Sequence, residues 1–461
     1  MQPLLAITWL TWKAAIRFRL FLVVAVLLLA SVVGLPLLIK DDGTARGFTQ
    51  ILLTYTLTTI TALLGFSTLW LACGTLARDI EDCQMQVVAV KPICRWQIWL
   101  GKWLGIVSLN AALLAISGAG LYALLLWRAA HLPPAEQRVL RNEVLVARGS
   151  AKPPSVDYEI DKQTDQRLEE RLSKYPLDRY DKVELRKQIR EQVKAEYQII
   201  PSGYSREWKV DLGLARHFLA DKPLYLRIKF NSSEKYATGT FKGLWAVGAP
   251  RETKLWGSQV MSLAQDTFHE FQIPPNLFDQ NGVLTISFFN PNDATLLFPL
   301  EDGIEVLYPE GSFGMNFVRG LGIIFCWMAL LAAVGLASAT FLSFPVAAFF
   351  SLSLLGIVLC SGTMANAVDE GTVAGWNAEK STKGWTPADI VIIPTFKAAL
   401  KVINLAKDFS PVDSLSTGRC ITWTELGLAF GQIVLLLGGI SALFGIVIFN
   451  RRELATAQGT Q

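Results

Sequence analysis

Histidine is scarce in this sequence: His131, His217 and His269 are the only three in 461 residues, and they lie far apart. The six cysteines, Cys73, Cys83, Cys94, Cys326, Cys360 and Cys420, form no C-x-x-C pair, and none falls in the polar middle of the chain. These shortages argue against a zinc centre and against a disulfide framework. The net charge of +4 is small for this length and gives no footing for a nucleic-acid partner. A phosphate-binding loop is missing as well. Gly101-Lys102 is followed by Trp103 where Ser or Thr is required, so the chain has no means of cradling ATP by itself. His269-Glu270 is not a zinc-protease motif, because Ile273 stands where the second His belongs. No carboxylate pair or Ser/His set points to an enzyme. The apolar stretches also hold almost none of the acidic residues that a proton-coupled carrier needs.

What is abundant is hydrophobic length. Hydrophobic residues make up 51% of the chain, and a bilayer crossing takes about 20 of them in a row. Six stretches qualify: Phe18–Ile39, Phe48–Ala77, Ile98–Trp127, Met315–Leu342, Pro345–Ala367 and Trp423–Asn450. The first is too long for a signal-peptide core, and no clear cleavage site follows it. Basic residues cluster before the first stretch (Lys13, Arg17, Arg19), between the second and third (Arg78, Lys91, Arg95, Lys102) and after the sixth (Arg451, Arg452). Six crossings put all three groups on one side, which the positive-inside rule makes the cytoplasm, with both termini there. The expectation is a multi-pass protein of the cytoplasmic membrane.

The other side then receives the polar region 128–314. Residues 157–197 are dense in charge, with Leu185, Ile189, Val193 and Tyr197 forming the narrow apolar stripe of a helix, and Pro176 separating it from an earlier helix. From about 205 to 312 the period changes to two. Leu224, Leu226, Ile228 and Phe230 alternate with more polar neighbours, as in a half-buried strand. Further strands are expected near Thr238–Val247, Thr267–Ile273, Val283–Phe289 and Ile304–Tyr308, separated by turns such as Asn281-Gly282. The fold class is therefore mixed: membrane helices 1–3 in 1–127, an extracytoplasmic α+β domain holding a jelly-roll-like β-sandwich in 128–314, and helices 4–6 in 315–461. Near 386–409, Thr386-Pro387-Ala388-Asp389 reads as a helix start. Phe396, Leu400 and Ile403 give that helix one apolar face for the outer interface, with Pro394 expected to break or kink it.

The link between the second and third stretches carries the most information. It opens with Asp79, Glu81 and Asp82, continues as an apolar run, and closes with Lys91, Pro92, Cys94 and Arg95 before Leu100-Gly101-Lys102. An acidic start, an apolar run and a proline stop describe a short surface helix near 78–95 tied to two membrane helices. The plain alternative is a solvated loop with positive-inside residues. Gly101 and Gly105 suit close helix packing, or a dimer seam. Arg319 reads as a snorkelling interfacial residue, and Trp245, Trp256 and Phe289 as core rather than a ligand surface.

In its order of features this link resembles the ABC-2 family of transporter permeases: Glu81 before the short helix, then Pro92, Cys94, Arg95 and Leu100-Gly101-Lys102. Arg451, Arg452 and Glu453 resemble the basic exit after the family's last helix. The likeness covers the membrane part, a little over half the chain. Cys83-Gln84 stands where relatives often have Gly-Thr, and the insert after helix 3 is longer than in the simplest members. The resemblance implies a permease subunit that binds no cofactor of its own. ATP and Mg would be handled by a separate ABC ATPase docked at the coupling helix, and two permease copies, or one with a related chain, would form the pathway in the lipid. The outer domain would meet a substrate or an extracytoplasmic protein. The competing expectation is a membrane-anchored binding or assembly protein without transport activity.

Overall fold

The computed structural model describes residues 2–17, 19–38, 44–82, 93–140, 144–174, 182–213, 216–219, 221–232, 239–249, 253–373, 376–377, 382–383 and 387–452. The chain divides into two compact units, Met1–Val146 with Ser312–Gln461, and Ala147–Gly311. The division falls inside the expected 128–314 insert at both ends.

The first unit is helical. Its helices are α1 (Gln2–Arg17), α2 (Arg19–Leu38), α3 (Ala45–Glu81), α4 (Arg95–Ala129), α5 (Phe313–Ala339), α6 (Phe344–Leu359), α7 (Ser361–Glu370), α8 (Asp389–Lys407) and α9 (Pro411–Ser416), followed by α10, which runs Trp423–Arg451. Local chemistry sets several starts. Thr44 caps α3 by accepting from the Gly47 amide at 3.1 Å, Thr422 does the same for Glu425, and Pro345 sits in the first turn of α6. Buried Leu53, Leu57, Ile60 and Leu64 recur at helical spacing along α3 and meet Ile323, Ile324, Ala332 and Leu336 of α5 in one core.

Among the described residues four helices, α3, α4, α5 and α10, are long and apolar enough to cross a membrane. There are five if α6 and α7, bent by 49° at their junction, count as one. The six expected crossings are thus not all matched. The stretch Phe18–Ile39 corresponds to α2, in which Val23–Gly34 is the apolar part that passes on composition and is too short alone. Helix α1 was not anticipated. It exposes Leu5, Trp9, Leu10 and Ile16 while burying Ile7, Thr11 and Ala15. Polar side chains join neighbouring helices: Asn110 donates to Thr68 Oγ1 at 2.8 Å, Trp103 to the Ala329 carbonyl at 3.0 Å, and Ser351 to Ser338 at 3.1 Å.

Two expectations about the later helices need correction. Pro394 does not break α8, which continues through it, with Ile393 and Ile403 buried and Phe396 and Leu400 half-buried on one face. Arg319 does not snorkel. It is 8% exposed, and its guanidinium lies 5.5 Å from the ring centre of Trp423.

The second unit is built on β1 (Val146–Ala151), β2 (Ser205–Asp211), β3 (Leu224–Ile228), β4 (Thr240–Val247), β5 (Met261–Ala264), β6 (His269–Ile273), β7 (Val283–Phe289) and β8 (Ile304–Ser312). One sheet has the order β1-β8-β3-β6. The other has β2-β7-β4, with β5 also on β4. The registers are antiparallel, for example Leu226 opposite both Val306 and Phe271, and Ile286 opposite both Trp208 and Val247. Leu224, Leu226, Ile228 and Val306 from the first sheet share one core with Phe241, Trp245, Leu284 and Phe288 from the second. Trp245 and Trp256 belong to that core, whereas Phe289 is exposed.

The strand expected to be half-buried is buried more fully than alternation implies, because the other face of its sheet carries an internal ionic network. Arg148 pairs with Glu270, Ser150 donates to Glu305 at 2.5 Å, and Arg227 lies 3.8 Å from Glu305. Glu270 is therefore not ordinary strand surface. The helices Asp157–Lys174 and Lys182–Gln198 pack through Ile160, Ile189 and Val193. Ion pairs border that seam, among them Arg167–Glu196, Arg186–Asp165, and Arg190 with both Asp161 and Asp157. Glu196 is held below the usual carboxylate range by the hydrogen bond from Arg167, and burial pulls Arg206 down.

Candidate functional site

The residues singled out in the second link fall at one end of the helical unit, where α3 stops and α4 begins. Helix α3 continues to Glu81, so Asp79 and Glu81 occupy its last turn rather than the start of a separate short helix, and Asp82 caps it, its backbone N–H donating to the Arg78 carbonyl at 2.7 Å. Residues 83–92, with Lys91 and Pro92 and most of the expected coupling helix, lie outside the described residues, as does Glu453.

An acidic residue at a helix C-terminus opposes the macrodipole, and each of the two here has a compensating partner. Lys102 of α4, 7% exposed, donates to Asp79 Oδ2 at 2.5 Å and to the Thr75 carbonyl at 2.8 Å. The ammonium neutralises the carboxylate and occupies a carbonyl in the last turns of α3, which stabilises a buried cation that would otherwise be costly. Glu81 turns to another helix. Its Oε1 accepts from the Phe344 amide at 2.8 Å, placing negative charge on the N-terminus of α6. Arg78 stacks 4.2 Å from the centre of the Phe344 ring.

On the other flank, Arg95 reaches the end of α10. Its Nη1 donates to the carbonyls of Phe449 at 2.8 Å, Asn450 at 3.0 Å and Arg452 at 2.7 Å. These belong to the last turn, whose carbonyls have no intrahelical donor, so a guanidinium is a fitting cap. Arg452 passes the link on by donating to the Thr340 carbonyl at the end of α5, at 2.7 Å. Arg451 is exposed. Thus the two ends of the second link are held to α5, α6 and α10 by charges placed on helix termini.

Gly101 and Gly105 sit against α1. A Cβ on Gly101 would lie 2.8 Å from Ile7 Cβ, and one on Gly105 would lie 2.6 Å from Thr11 Cβ. Thr8 Oγ1 donates to the Gly101 carbonyl at 3.2 Å, and Trp12 Nε1 donates to Ser108 at 2.8 Å. The two glycines are a seat for α1 within the chain.

Thr75, Thr340, Phe344 and Phe449 were not picked out from sequence. For Thr340, Phe344 and Phe449 the signal is positional: each lies in a terminal turn or just beyond one, where bare backbone groups seek an opposite charge, whereas Thr75 lies further inside α3 and carries no such signal. Among the described residues no group of His, Cys, Asp or Glu is arranged to hold a metal ion.

The fold defines a class: a membrane protein with four to five helices able to span the bilayer and a separate antiparallel-sheet unit. No family model, curated protein or solved structure matches the chain.

Proposed function

We propose that this chain is the membrane-spanning permease subunit of an ABC-2-like transporter, driven by ATP that a separate ATPase subunit hydrolyses. The observation that carries the reading is the joining of both flanks of segment 83–92 to the ends of two other helices, through Glu81 on Phe344 and Arg95 on Phe449, Asn450 and Arg452. A push delivered to that segment from outside would move α3, α4, α6 and α10 together rather than bend one loop. In this reading α2 and the bent pair α6–α7 complete six crossings, both termini face the cytoplasm, and two copies, or one with a related chain, line the pathway. The strand orders β1-β8-β3-β6 and β2-β7-β4, with β5 also on β4, support a jelly roll, which would stand outside the membrane and meet cargo or an envelope partner.

Affinity purification of the chain from membranes tests the proposal. A P-loop ATPase is expected to co-purify, and Glu81→Lys combined with Arg95→Glu is expected to abolish its binding. Complex assembly unaffected by that double change would count against the assignment. The competing reading, a membrane-anchored binding or assembly protein, draws on the separate apolar core of the sheet unit and expects no ATPase at all.

A further inference from the structure

Helix α10 has three features that its role as a crossing does not require. Its middle, Phe430–Gly438, winds as a π-helix, flanked by α-helical Trp423–Ala429 and Gly439–Arg451. A π segment is rare and is wider than an α turn, as when an extra residue has been accommodated without disturbing the flanks. Beyond it, Gly445 lets the backbone of α10 approach α4 and α5 closely: a Cβ there would lie 3.0 Å from Trp99 Nε1 and 3.1 Å from Ala337 Cα. The Trp99 side chain is fully buried at this contact, and its indole N–H has no hydrogen-bond partner among the described residues. A buried donor without an acceptor is uncommon and costs stability. Finally, the end of α10 is gripped by Arg95 through three acceptors, the carbonyls of Phe449, Asn450 and Arg452. That grip holds the last turn in place.

We propose that α10 has two registers, and that the π segment is the extra residue that moves between them. As the wide turn moves to just before Gly445, Gly439–Phe444 rotates by about 100° and advances by about 1.5 Å, one residue of an α-helix, while Gly445 keeps its seat against Trp99 and Ala337. A backbone carbonyl loses its intrahelical donor where the wide turn passes, and in the second register it accepts the Trp99 indole N–H. The register seen here leaves that donor empty, and the second fills it. α10 is suited to such a shift because it is the least buried of the four crossings. Trp99 is a positioning residue in this scheme, and the π segment is the hinge. That a partner at segment 83–92 drives the shift rests on the proposed function. The existence of two registers does not.

The test uses the full-length protein in lipid nanodiscs, without any partner. Bio-orthogonal spin labels at Ile116 on α4 and Leu443 on α10, both exposed, report the register as a distance distribution. Wild type is expected to give two populations. Deleting Leu435 removes the extra residue and is expected to leave one population in a protein that still folds, whereas deleting the buried Ala332 from the regular helix α5 should abolish folding. Trp99→Phe removes the donor and should shift the ratio toward the register seen here by roughly fivefold, the equivalent of one hydrogen bond. A single wild-type population that Trp99→Phe does not alter would overturn the proposal. So would a Leu435 deletion as damaging as the Ala332 deletion. Failure to co-purify an ATPase would remove the proposed function and leave this result untouched.

Discussion

Consider Gly105→Ala. The added methyl would stand 2.6 Å from Thr11 Cβ and 2.8 Å from Thr11 Cγ2. The nearest of these atoms is fixed to the α1 backbone, so no rotamer change relieves the contact, and α1 must lift by about 1 Å to restore ordinary van der Waals separation. Lifting stretches Thr8 Oγ1 to the Gly101 carbonyl, now 3.2 Å, and Trp12 Nε1 to Ser108 Oγ, now 2.8 Å. Overpacking of this kind costs about 1–3 kcal/mol, and a weakened hydrogen bond adds about 0.5–1.5 kcal/mol. Against this, Ala is the better helix former by about 0.5–1 kcal/mol. The balance is a loss of about 1–3 kcal/mol, concentrated at the α1–α4 seam. Gly356→Ala supplies the opposite sign: it lies inside α6, and a Cβ there meets nothing within 4 Å, so only the propensity gain remains. Thermal unfolding in detergent, with hydrogen exchange of α1 amides, measures both. Gly105→Ala should melt lower and exchange faster in α1, while Gly356→Ala should hold or rise. A Gly105→Ala protein as stable as wild type would refute the claim that these glycines are a seat for α1.

Three further outcomes follow from contacts of the same kind. Lys102→Met leaves Asp79 facing the bundle without its cation and should destabilise by about 3 kcal/mol, at the lower end of the cost of breaking a buried pair since Asp79 is partly exposed; adding Asp79→Asn should recover much of the loss, as a double-mutant cycle of unfolding free energies would show. Asn316→Ala strands the Arg419 carbonyl and the Ile421 amide, both bonded to Asn316 at 2.7 Å, and should cost about 1–3 kcal/mol, read as faster proteolysis of the 410–422 segment. In the sheet unit, the lowered pKa of Glu196 means that its carboxylate stabilises the folded state above the ordinary glutamate range, and that this contribution is lost as pH falls through the folded value. Arg167→Gln should remove that pH dependence, and NMR titration of Glu196 should then return toward an ordinary glutamate.

The contrast between the two units shows where sequence sufficed. Strands β3, β4, β6, β7 and β8 were legible because a two-residue period over a half-buried face leaves its mark locally, with Asn281-Gly282 marking the turn before β7. β1 and β5 carry too little alternation to stand out, and they became strands by pairing with distant partners. The long apolar crossings α3, α4, α5 and α10 were equally plain, since about 20 apolar residues in a row have few other uses. Helix α1 was missed because its apolar residues point two ways, some onto α4 and some outward.

At the candidate site, sequence determined which charges flank the second link. It did not determine what they hold. Glu81 meets Phe344 across 263 positions and Arg95 meets Phe449 across 354. Such pairings depend on which helix ends converge, a product of how α3, α5 and α10 pack. A helix terminus presents bare amides or carbonyls whatever its sequence, so only the tertiary structure decides which terminus each charge finds.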